Sequence, residues 1–561
     1  MAVKRFPKAP ATAFCALAAS LSLATTATAA PSTPTADGPS TAPASPAVPA
    51  IPLKGVVFLS EAGQARPEGW PALTDAAFDT SRVPALDRSD LATKLAPLLD
   101  RPISDVVTDV TAVASDYFKS IGRPFVSVML PRQALTNGVL QVVVVEARLG
   151  ALKVEGNRWF DDSQYLRAMD LAPGDTIDAR ALRAGLGQIN RNPFRRAQLV
   201  ANPGATVGAT DLTIRAEERF PLAFTLGADN TGNVPTGRTR LSAGVEWGNA
   251  LWRGDDATYT YITSTDGRRL REHVGSYTIL LPSGDTLSLS GSRAISRGDA
   301  DGVFSSTGRN SAASVRYTLP LADRPHLRQS VVLGFDYKQA NNDLLFGGAS
   351  VFPTSTDTDQ FVVGYAASWT DGHGAGADMN ASVIGSPGGV TGGNNDATFA
   401  TQRNGATARY AYLRVQLDRL TPLPYRLSWF TRATGQLSTS KLLPSEMLAF
   451  GGSQSVRGFN EQTAIRDNGL LLTNELRSPS WSSGLAAGRD RLSAFVFLDA
   501  GVGKNHDDHG PALSMISAGP GLSYQFGTHV SLRLATGFVL HQHGVPGGKA
   551  NRPLAGLQVN F

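Results

Sequence analysis

The 561-residue chain is poor in the residues and motifs that most often carry chemistry. Its one cysteine, Cys15, lies in the leader described below, so disulfides and thiol catalysis are excluded after cleavage. Its eight histidines form no metal-ligand pattern, and the pair His541 and His543 reads as part of an exposed loop. Neither a phosphate-binding Gly-Lys-Ser/Thr loop nor a G-x-S-x-G elbow is present. The sequence therefore predicts no catalytic residue, no metal and no cofactor.

Long apolar runs and a strong charge imbalance are also missing. After the leader, no apolar run comes near the length of about eighteen residues that a membrane helix needs. The formal net charge of +5 falls to +2 when Lys4, Arg5 and Lys8 leave with the leader. A charge this small does not indicate a nucleic-acid partner.

The first fifty residues predict export. Residues 1–30 combine a basic head, an Ala/Leu-rich body and small residues at 27–30, which is typical of a cleaved signal peptide. Residues 31–50 are mostly Pro, Ala, Ser and Thr and predict a flexible linker. This linker contains no amphipathic helix.

Two similar α+β units follow, at 51–147 and 148–219. Each has the pattern strand, helix, helix, strand, strand, read from hydrophobic spacing. In the first unit, Asn137-Gly138 indicates a hairpin between the last two strands. The strand from Phe125 to Leu130 is expected at a sheet edge, where Phe125, Val126, Ser127 and Val128 are candidates for binding an extended segment.

The length of residues 220–561 suits an all-β barrel of sixteen antiparallel strands that crosses an outer membrane, and the export signal, the two preceding units and the alternating chain end favour this fold. Short turns such as 282–284 alternate with long Gly/Asn/Asp-rich connections such as 386–405. The strands are expected to start near residues 220, 239, 256, 271, 285, 311, 328, 360, 377, 408, 425, 470, 491, 514, 530 and 552.

Alternation along these strands predicts which face meets lipid. In the strand from Tyr425, one face carries Tyr425, Leu427 and Trp429, and the other carries Arg426 and Arg432. The first suits lipid and the second a wet lumen. A soluble β-sandwich also alternates, so alternation alone leaves both folds open.

One stretch stands out from the strands. The loop 443–469 contains Gly451 and Gly452 followed by Val456, Arg457, Gly458 and Phe459. Further on, Phe497, Asp499 and Gly501 share one face of a strand, where a carboxylate needs water or a cation. Arg457 is the candidate cation. An ordinary solvated turn and a strand-end aspartate remain the plainer interpretation of each motif alone.

Taken together, the VRGF loop, the F-x-D-x-G strand and the two α+β units resemble the two-partner secretion outer-membrane transporters, the TpsB family of the ShlB/FhaC/HecB type. The units, in phrases such as GRPFVSVMLPRQALTNG and LGQINRNPFRRAQL, resemble POTRA 1 and POTRA 2 of that family. Leu557, Val559 and the terminal Phe561 look like the C-terminal signal read by the barrel-assembly machinery.

The resemblance implies an outer-membrane pore with POTRA domains in the periplasm. Its partner would be a large, unfolded, TpsA-like exoprotein carried to the cell surface or medium. If the loop 443–469 folds into the lumen, we expect Arg457 to pair with Asp499 and Phe459 to pack on Phe497. The resemblance implies that this loop conformation supports the secretion-active state. Members of the family often carry a plug helix at the mature N-terminus, which this linker does not show.

Two other functions stay open on the sequence. An outer-membrane insertase of the same superfamily usually has more POTRA units and requires a separable lateral seam. A barrel enzyme such as a protease or lipase requires a catalytic cluster at the rim, which the sequence does not offer.

Overall fold

The computed structural model describes residues 51–561 apart from 75, 87, 136, 207, 301–303, 323, 347–348, 485–487 and 547–550. The predicted signal peptide (1–30) and linker (31–50), and with them the question of a plug helix, lie outside these described residues.

The first unit is a four-stranded sheet covered by two helices. Its sheet order is β2-β1-β4-β3, with β3 antiparallel to β4 and the other pairs parallel. Buried Val106, Val110 and Phe118 of the long helix pack with Phe58 and Val142 of the sheet. Its elements are β1 (Gly55–Leu59), β2 (Phe78–Asp79), α1 (Arg88–Leu95), α2 (Ile103–Ser120), β3 (Val126–Met129) and β4 (Val139–Glu146).

The second unit repeats the plan with three strands, in the order β5-β7-β6. Asp161 and Asp178 cap its two helices by accepting backbone N–H bonds at their first turns. Among the helices of residues 51–561, none is long and apolar enough to cross a membrane. The elements are β5 (Arg148–Glu155), α3 (Asp162–Met169), α4 (Ala179–Ile189), β6 (Arg195–Pro203) and β7 (Ala209–Glu218).

A rigid junction joins the second unit to the next strand. Glu218, the last residue of β7, accepts bonds from the Tyr165 hydroxyl at 2.5 Å and from the backbone N–H of Arg158 at 2.7 Å. Burial, with this hydrogen bond, raises the pKa of Tyr165, so the phenol stays protonated and donating at neutral pH. Arg195 lies over the Tyr165 ring at 5.0 Å. The junction therefore fixes the direction in which the chain enters the barrel.

The remaining residues form one closed antiparallel barrel, which confirms the predicted fold class. Strands β24 and β25 are halves of one strand interrupted at Gly537, so the barrel has sixteen strands. The last strand closes on the first, with Gly556 opposite Asp229 and Asn560 opposite Thr225. The first nine strands are β8 (Leu222–Asp229), β9 (Arg240–Ala250), β10 (Asp255–Ser264), β11 (Leu270–Leu280), β12 (Thr286–Ala300), β13 (Phe304–Pro320), β14 (Leu327–Phe346), β15 (Ala349–Thr370) and β16 (Gly376–Pro387).

A short helix and a small hairpin separate some of the later strands. The helix α5 (Asp396–Gln402) precedes β17, and the hairpin β19 (Leu448–Phe450) and β20 (Ala464–Arg466) lies between two barrel strands. The later barrel strands are β17 (Arg409–Pro422), β18 (Ser428–Ser438), β21 (Asn468–Arg477), β22 (Asp490–Lys504), β23 (Leu513–Phe526), β24 (Val530–Thr536), β25 (Phe538–His543) and β26 (Pro553–Asn560).

The second unit contacts the short turns at one end of the barrel. The Gln164 side chain donates to the Trp252 carbonyl at 2.9 Å, and Arg191 donates to the Gly284 carbonyl at 2.7 Å. Asn249 donates back to the Trp159 carbonyl at 2.8 Å. The turns 251–254 and 281–285 therefore lie on the side of the two units, and the long loops lie at the opposite end.

Three predicted strand starts are wrong. Strands β13 and β15 begin at Phe304 and Ala349 rather than near 311 and 360, because these hairpins run well past the roughly ten residues that cross a membrane. The sequence of their outer parts does not alternate between apolar and polar residues, so it gives no strand signal. Strand β18 begins at Ser428, since Tyr425 and Arg426 both have φ of 60° in a turn. Arg426 is therefore a turn residue and not part of the lumen wall.

The barrel reverses the polarity of a soluble sandwich. Trp429, Val496 and Leu498 are exposed on the outside, whereas Gln436 and Asp499 are buried on the inside. Apolar groups facing outward and charges facing inward are the arrangement that lipid around a wet lumen requires. The sandwich alternative is excluded by this pattern.

Candidate functional site

The connection between β18 and β21, residues 439–467, turns back into the barrel, and we call it the in-folded loop. Its hairpin pairs Leu448 with Arg466 and Phe450 with Ala464. Gly451 and Gly452 follow with φ of 92° and 104°, conformations that glycine adopts without strain. The chain then brings the segment 456–459 against the inner wall.

The guanidinium of Arg457 meets the carboxylate of Asp499 through two parallel bonds. Nε donates to Oδ2 at 2.7 Å, and Nη2 donates to Oδ1 at 2.7 Å. The Arg457 backbone N–H adds a third bond to Oδ2 at 3.0 Å. Arg457 is 4% exposed and Asp499 is fully buried. Charge-assisted bonds of this forked geometry are among the strongest that side chains make.

A second carboxylate, Glu475 on β21, completes the site. It accepts from Arg457 Nη1 at 2.6 Å, from Arg533 Nη2 at 2.5 Å and from Arg477 Nη2 at 2.7 Å. Three arginines therefore surround two buried carboxylates. The sequence reasoning missed Glu475, although it is a charged residue within a strand of the same kind as Asp499 and the same argument would have found it.

Two of these arginines, Arg457 and Arg533, lie over the faces of aromatic rings. The Arg457 guanidinium lies 3.6 Å from the centre of the Phe497 ring, and Arg533 lies 4.2 Å from that of Phe495. The expected packing of Phe459 on Phe497 is not what the structure has. Phe459 belongs to a separate apolar cluster that includes Phe450, while the face of the Phe497 ring is covered by the Arg457 guanidinium.

Two glycines allow the loop to touch the wall with its backbone. Gly458 has φ of 90°, and a Cβ there would lie 2.8 Å from the Gly537 carbonyl oxygen. A Cβ on Gly537 would lie only 2.4 Å from the Gly458 nitrogen. The strand is interrupted at this point, between β24 and β25. The backbone contact thus depends on glycine from both partners.

Gly501 has a related role on the neighbouring strand. A Cβ on Gly501 would lie 3.0 Å from the Phe450 ring and 3.1 Å from a methyl group of Val456. Gly469 and Gly503 approach the same ring, each at 2.6 Å by the same measure. Because these three glycines have no side chains, the Phe450 ring can pack directly against the backbone of the wall. This gives the glycine of the F-x-D-x-G motif a steric reason.

The loop tip also reaches the last long connection of the barrel. The backbone N–H of Arg552 donates to the Gly458 carbonyl at 3.3 Å. The buried Arg552 side chain donates to the carbonyls of Asn230 and Gly232, beyond the first barrel strand. The in-folded loop is therefore connected to both strands that close the barrel.

The predicted binding strand of the first unit is only partly as expected. Val126, Ser127 and Val128 lie in β3, which is at the edge of the sheet. Phe125 precedes the strand and packs against the apolar core of the second unit. Its side chain therefore belongs to the junction between the units, because Phe125 lies opposite Ala147, the residue between β4 and β5, and accepts its backbone N–H at 2.9 Å.

The C-terminal residues lie along the closing strand. Leu557 and Val559 pair with Ala228 and Leu226, and Leu557 is exposed on the outside. Phe561 follows β26, exchanges two backbone bonds with Phe224, and has an exposed side chain. The end of the chain thus presents apolar side chains to the lipid side.

The arrangement consists of ion pairs, aromatic rings and close backbone contacts between the in-folded loop and the wall. Within the part of the chain that the structure describes, no group of three or more His, Cys, Asp or Glu residues is placed to hold a metal ion.

Comparisons with known proteins relate the chain to outer-membrane transporters. Residues 208–524 match the family model described as haemolysin secretion/activation protein ShlB/FhaC/HecB. The outer membrane transporter CdiB of Escherichia coli is 27% identical over 448 residues, covering 77% of this chain and 73% of that protein. The heme/hemopexin transporter protein HuxB of Haemophilus influenzae is 21% identical, covering 80% and 81%. The solved structure of CdiB from Escherichia coli matches with a TM-score of 0.71 at 22% identity, covering 93% of each chain.

Proposed function

Because the chain belongs to the ShlB/FhaC/HecB family of haemolysin secretion/activation proteins, and is an outer-membrane transporter of two-partner secretion, we propose how it performs that transport. The POTRA domains capture an unfolded exoprotein in the periplasm, and the barrel passes it to the cell surface. The observation that carries this proposal is a barrel with charged inner side chains, hydrogen-bonded at one end to the second of two units whose sheets have edge strands. We propose 51–147 and 148–219 as the POTRA domains and 220–561 as the barrel.

Capture is proposed to occur at the edge of the first sheet. Within the described residues, β3 has strand pairing only with β4, so its other side has backbone groups free for an added strand. Strand addition supplies affinity through the backbone and makes few demands on sequence. This suits an unfolded chain. The proposal assigns no catalytic step to any residue.

The Val128 N–H points away from β4, because Phe125 accepts from the Ala147 N–H and bonded pairs alternate along an antiparallel ladder. Proline at Val128 is expected to lower secretion by roughly tenfold while the amount of barrel in the membrane is unchanged, because it removes a donor from the free edge. The measurement is exoprotein in the medium relative to barrel in the outer membrane. V128A is the matched control, since it shortens the side chain and keeps the N–H. Equal secretion from V128P and V128A would contradict capture at this edge.

Transport is proposed to need no nucleotide, since folding of the exoprotein outside the cell supplies the direction. Purified barrel in liposomes is therefore expected to carry unfolded exoprotein across the vesicle membrane without added ATP. Protease protection measures the transfer, and vesicles without barrel are the control. A requirement for ATP would show this energetic account to be wrong.

Two further partners are part of the proposal. The outward Leu557 and Phe561 at the chain end suit recognition by the barrel-assembly machinery during insertion. The outward apolar band, including Trp429 and Val496, suits contact with outer-membrane lipid.

A further inference from the structure

The outer half of the lumen is covered by two loops rather than one. The connection between β16 and β17, residues 388–408, carries α5, and we call it the helical loop. Its Phe399 is fully buried in a cluster with Leu442, Leu443 and Met447 of the in-folded loop. Tyr410 and Tyr412 of the wall complete the same cluster. The two loops therefore share one apolar core inside the barrel.

An ion pair fastens the loops to each other where the in-folded loop ends. Arg403 donates to Asp467 through Nη1 at 2.6 Å and Nη2 at 2.8 Å. Arg403 Nη1 also donates to the Leu442 carbonyl at 2.6 Å. Asp467 accepts two further bonds, from the backbone N–H of Leu442 and of His506, both at 2.9 Å. Asp467 is fully buried, so its charge depends on Arg403.

Each loop has a separate attachment to the barrel wall. In the helical loop, Thr391 donates its hydroxyl to Asp359 of β15 at 2.7 Å. In the in-folded loop, Glu446 accepts from Lys338 of β14 at 2.8 Å and from the Tyr412 hydroxyl at 2.8 Å. The contact of Gly458 with the strand interruption at Gly537 lies eight strands from β14 in the barrel order, which is half of the circumference.

These contacts form a bridge across the lumen. The in-folded loop runs from the β14 side to the opposite wall, and the helical loop packs against it through the shared apolar cluster. A polypeptide leaving through the barrel must displace at least one of them. The helical loop is held to the in-folded loop by one ion pair, Arg403 with Asp467, and by the shared apolar cluster around Phe399.

We propose that Arg403 and Asp467 are positioning residues that hold the two loops as one cover, and that parting of this ion pair opens the outer exit for the transported chain. The proposal rests on the function proposed above. The pore is closed while the pair is intact. When the helical loop moves away from Asp467, the in-folded loop keeps its own attachments through Arg457 and Glu446.

The test is ion conductance of the purified full chain in planar lipid bilayers, which needs no exoprotein. R403A is expected to raise the fraction of time open roughly tenfold or more, because it leaves Asp467 buried without its cation. R403K is expected to lie between R403A and the unmodified chain, since lysine keeps the charge but not the forked geometry. D467N keeps one acceptor oxygen, so only one of the Leu442 and His506 N–H groups retains its bond, and it removes the charge that pairs with Arg403; it is expected to resemble R403A.

The matched control is R432A. Arg432 makes a forked pair with Asp418, at 2.8 and 2.6 Å, between the adjacent wall strands β18 and β17 and touches neither loop. Its removal is expected to leave conductance nearly unchanged. Heat-modifiable migration in gels checks that each barrel is folded. If R403A does not accumulate, the conductance of D467N and R403K decides the test.

Unmodified conductance in folded R403A or D467N would overturn the proposal, and so would an equal rise in R432A. Secretion by the unmodified chain is measured in parallel. Absence of secretion would contradict the proposed function, whereas a failure confined to the conductance series would contradict only the role of Arg403 and Asp467.

Discussion

R457A is expected to reduce secretion at least about tenfold. Asp499 is fully buried, and every hydrogen bond it accepts at its side chain comes from Arg457, two of them from the guanidinium. Removing one partner of a buried pair costs about 3–5 kcal/mol, because the other charge remains without its partner. The measurement is exoprotein in the medium relative to folded barrel in the outer membrane.

Two variants separate charge from geometry at this position. R457K keeps a cation but makes no forked contact, so an intermediate defect is expected. R432A removes a forked arginine of the wall that is not part of the loop, and near-normal secretion is expected from it. An R457A protein that secretes normally would contradict the account, as would an equal defect in R432A.

G537A is expected to match R457A although it adds only one carbon atom. The added Cβ would lie 2.4 Å from the Gly458 nitrogen and 2.6 Å from the Arg457 carbonyl carbon, and both are backbone atoms that cannot rotate away. The loop tip must therefore move off the wall, which separates Arg457 from Asp499. Secretion per folded barrel measures the effect, and limited proteolysis reports whether the loop has been released.

The control for this change is another glycine of the barrel wall. G435A, in β18, places its Cβ with no heavy atom nearer than 3.9 Å, and near-normal secretion is expected. G458A tests the same contact from the other side and adds the strain of a φ of 90°. If G537A secreted as well as G435A, the close backbone contact would have no role in holding the loop.

Local patterns predict most of this fold. Alternation gives the number of strands and the outward position of residues such as Trp429, because lipid and lumen impose opposite polarity on successive side chains. The pattern fails where that condition ends. The outer part of β15 has no lipid to face, and Tyr425 lies in a turn whose backbone conformation the alternation does not reveal.

Some residues of the site can be predicted from the sequence, and others cannot. The VRGF and F-x-D-x-G motifs direct attention to Arg457 and Asp499, since each is an unusual residue for its position. Gly537, by contrast, is one glycine among the chain's 57, and its importance depends on a backbone from another part of the chain arriving next to it. Arg403 and Asp467 likewise lie in polar loops, where a charge needs no special explanation until the loops are placed inside the barrel.

The central claim is that Arg457 and Asp499 act as one contact that keeps the in-folded loop in its secretion-active position. A double-mutant cycle on secretion tests it most directly, using R457A, D499A and the double variant at equal levels of folded barrel. Because both changes remove the same contact, we predict that the double variant is little worse than the more severe single variant. Strictly additive defects, in which the logarithms of the two single effects sum to that of the double, would contradict the claim.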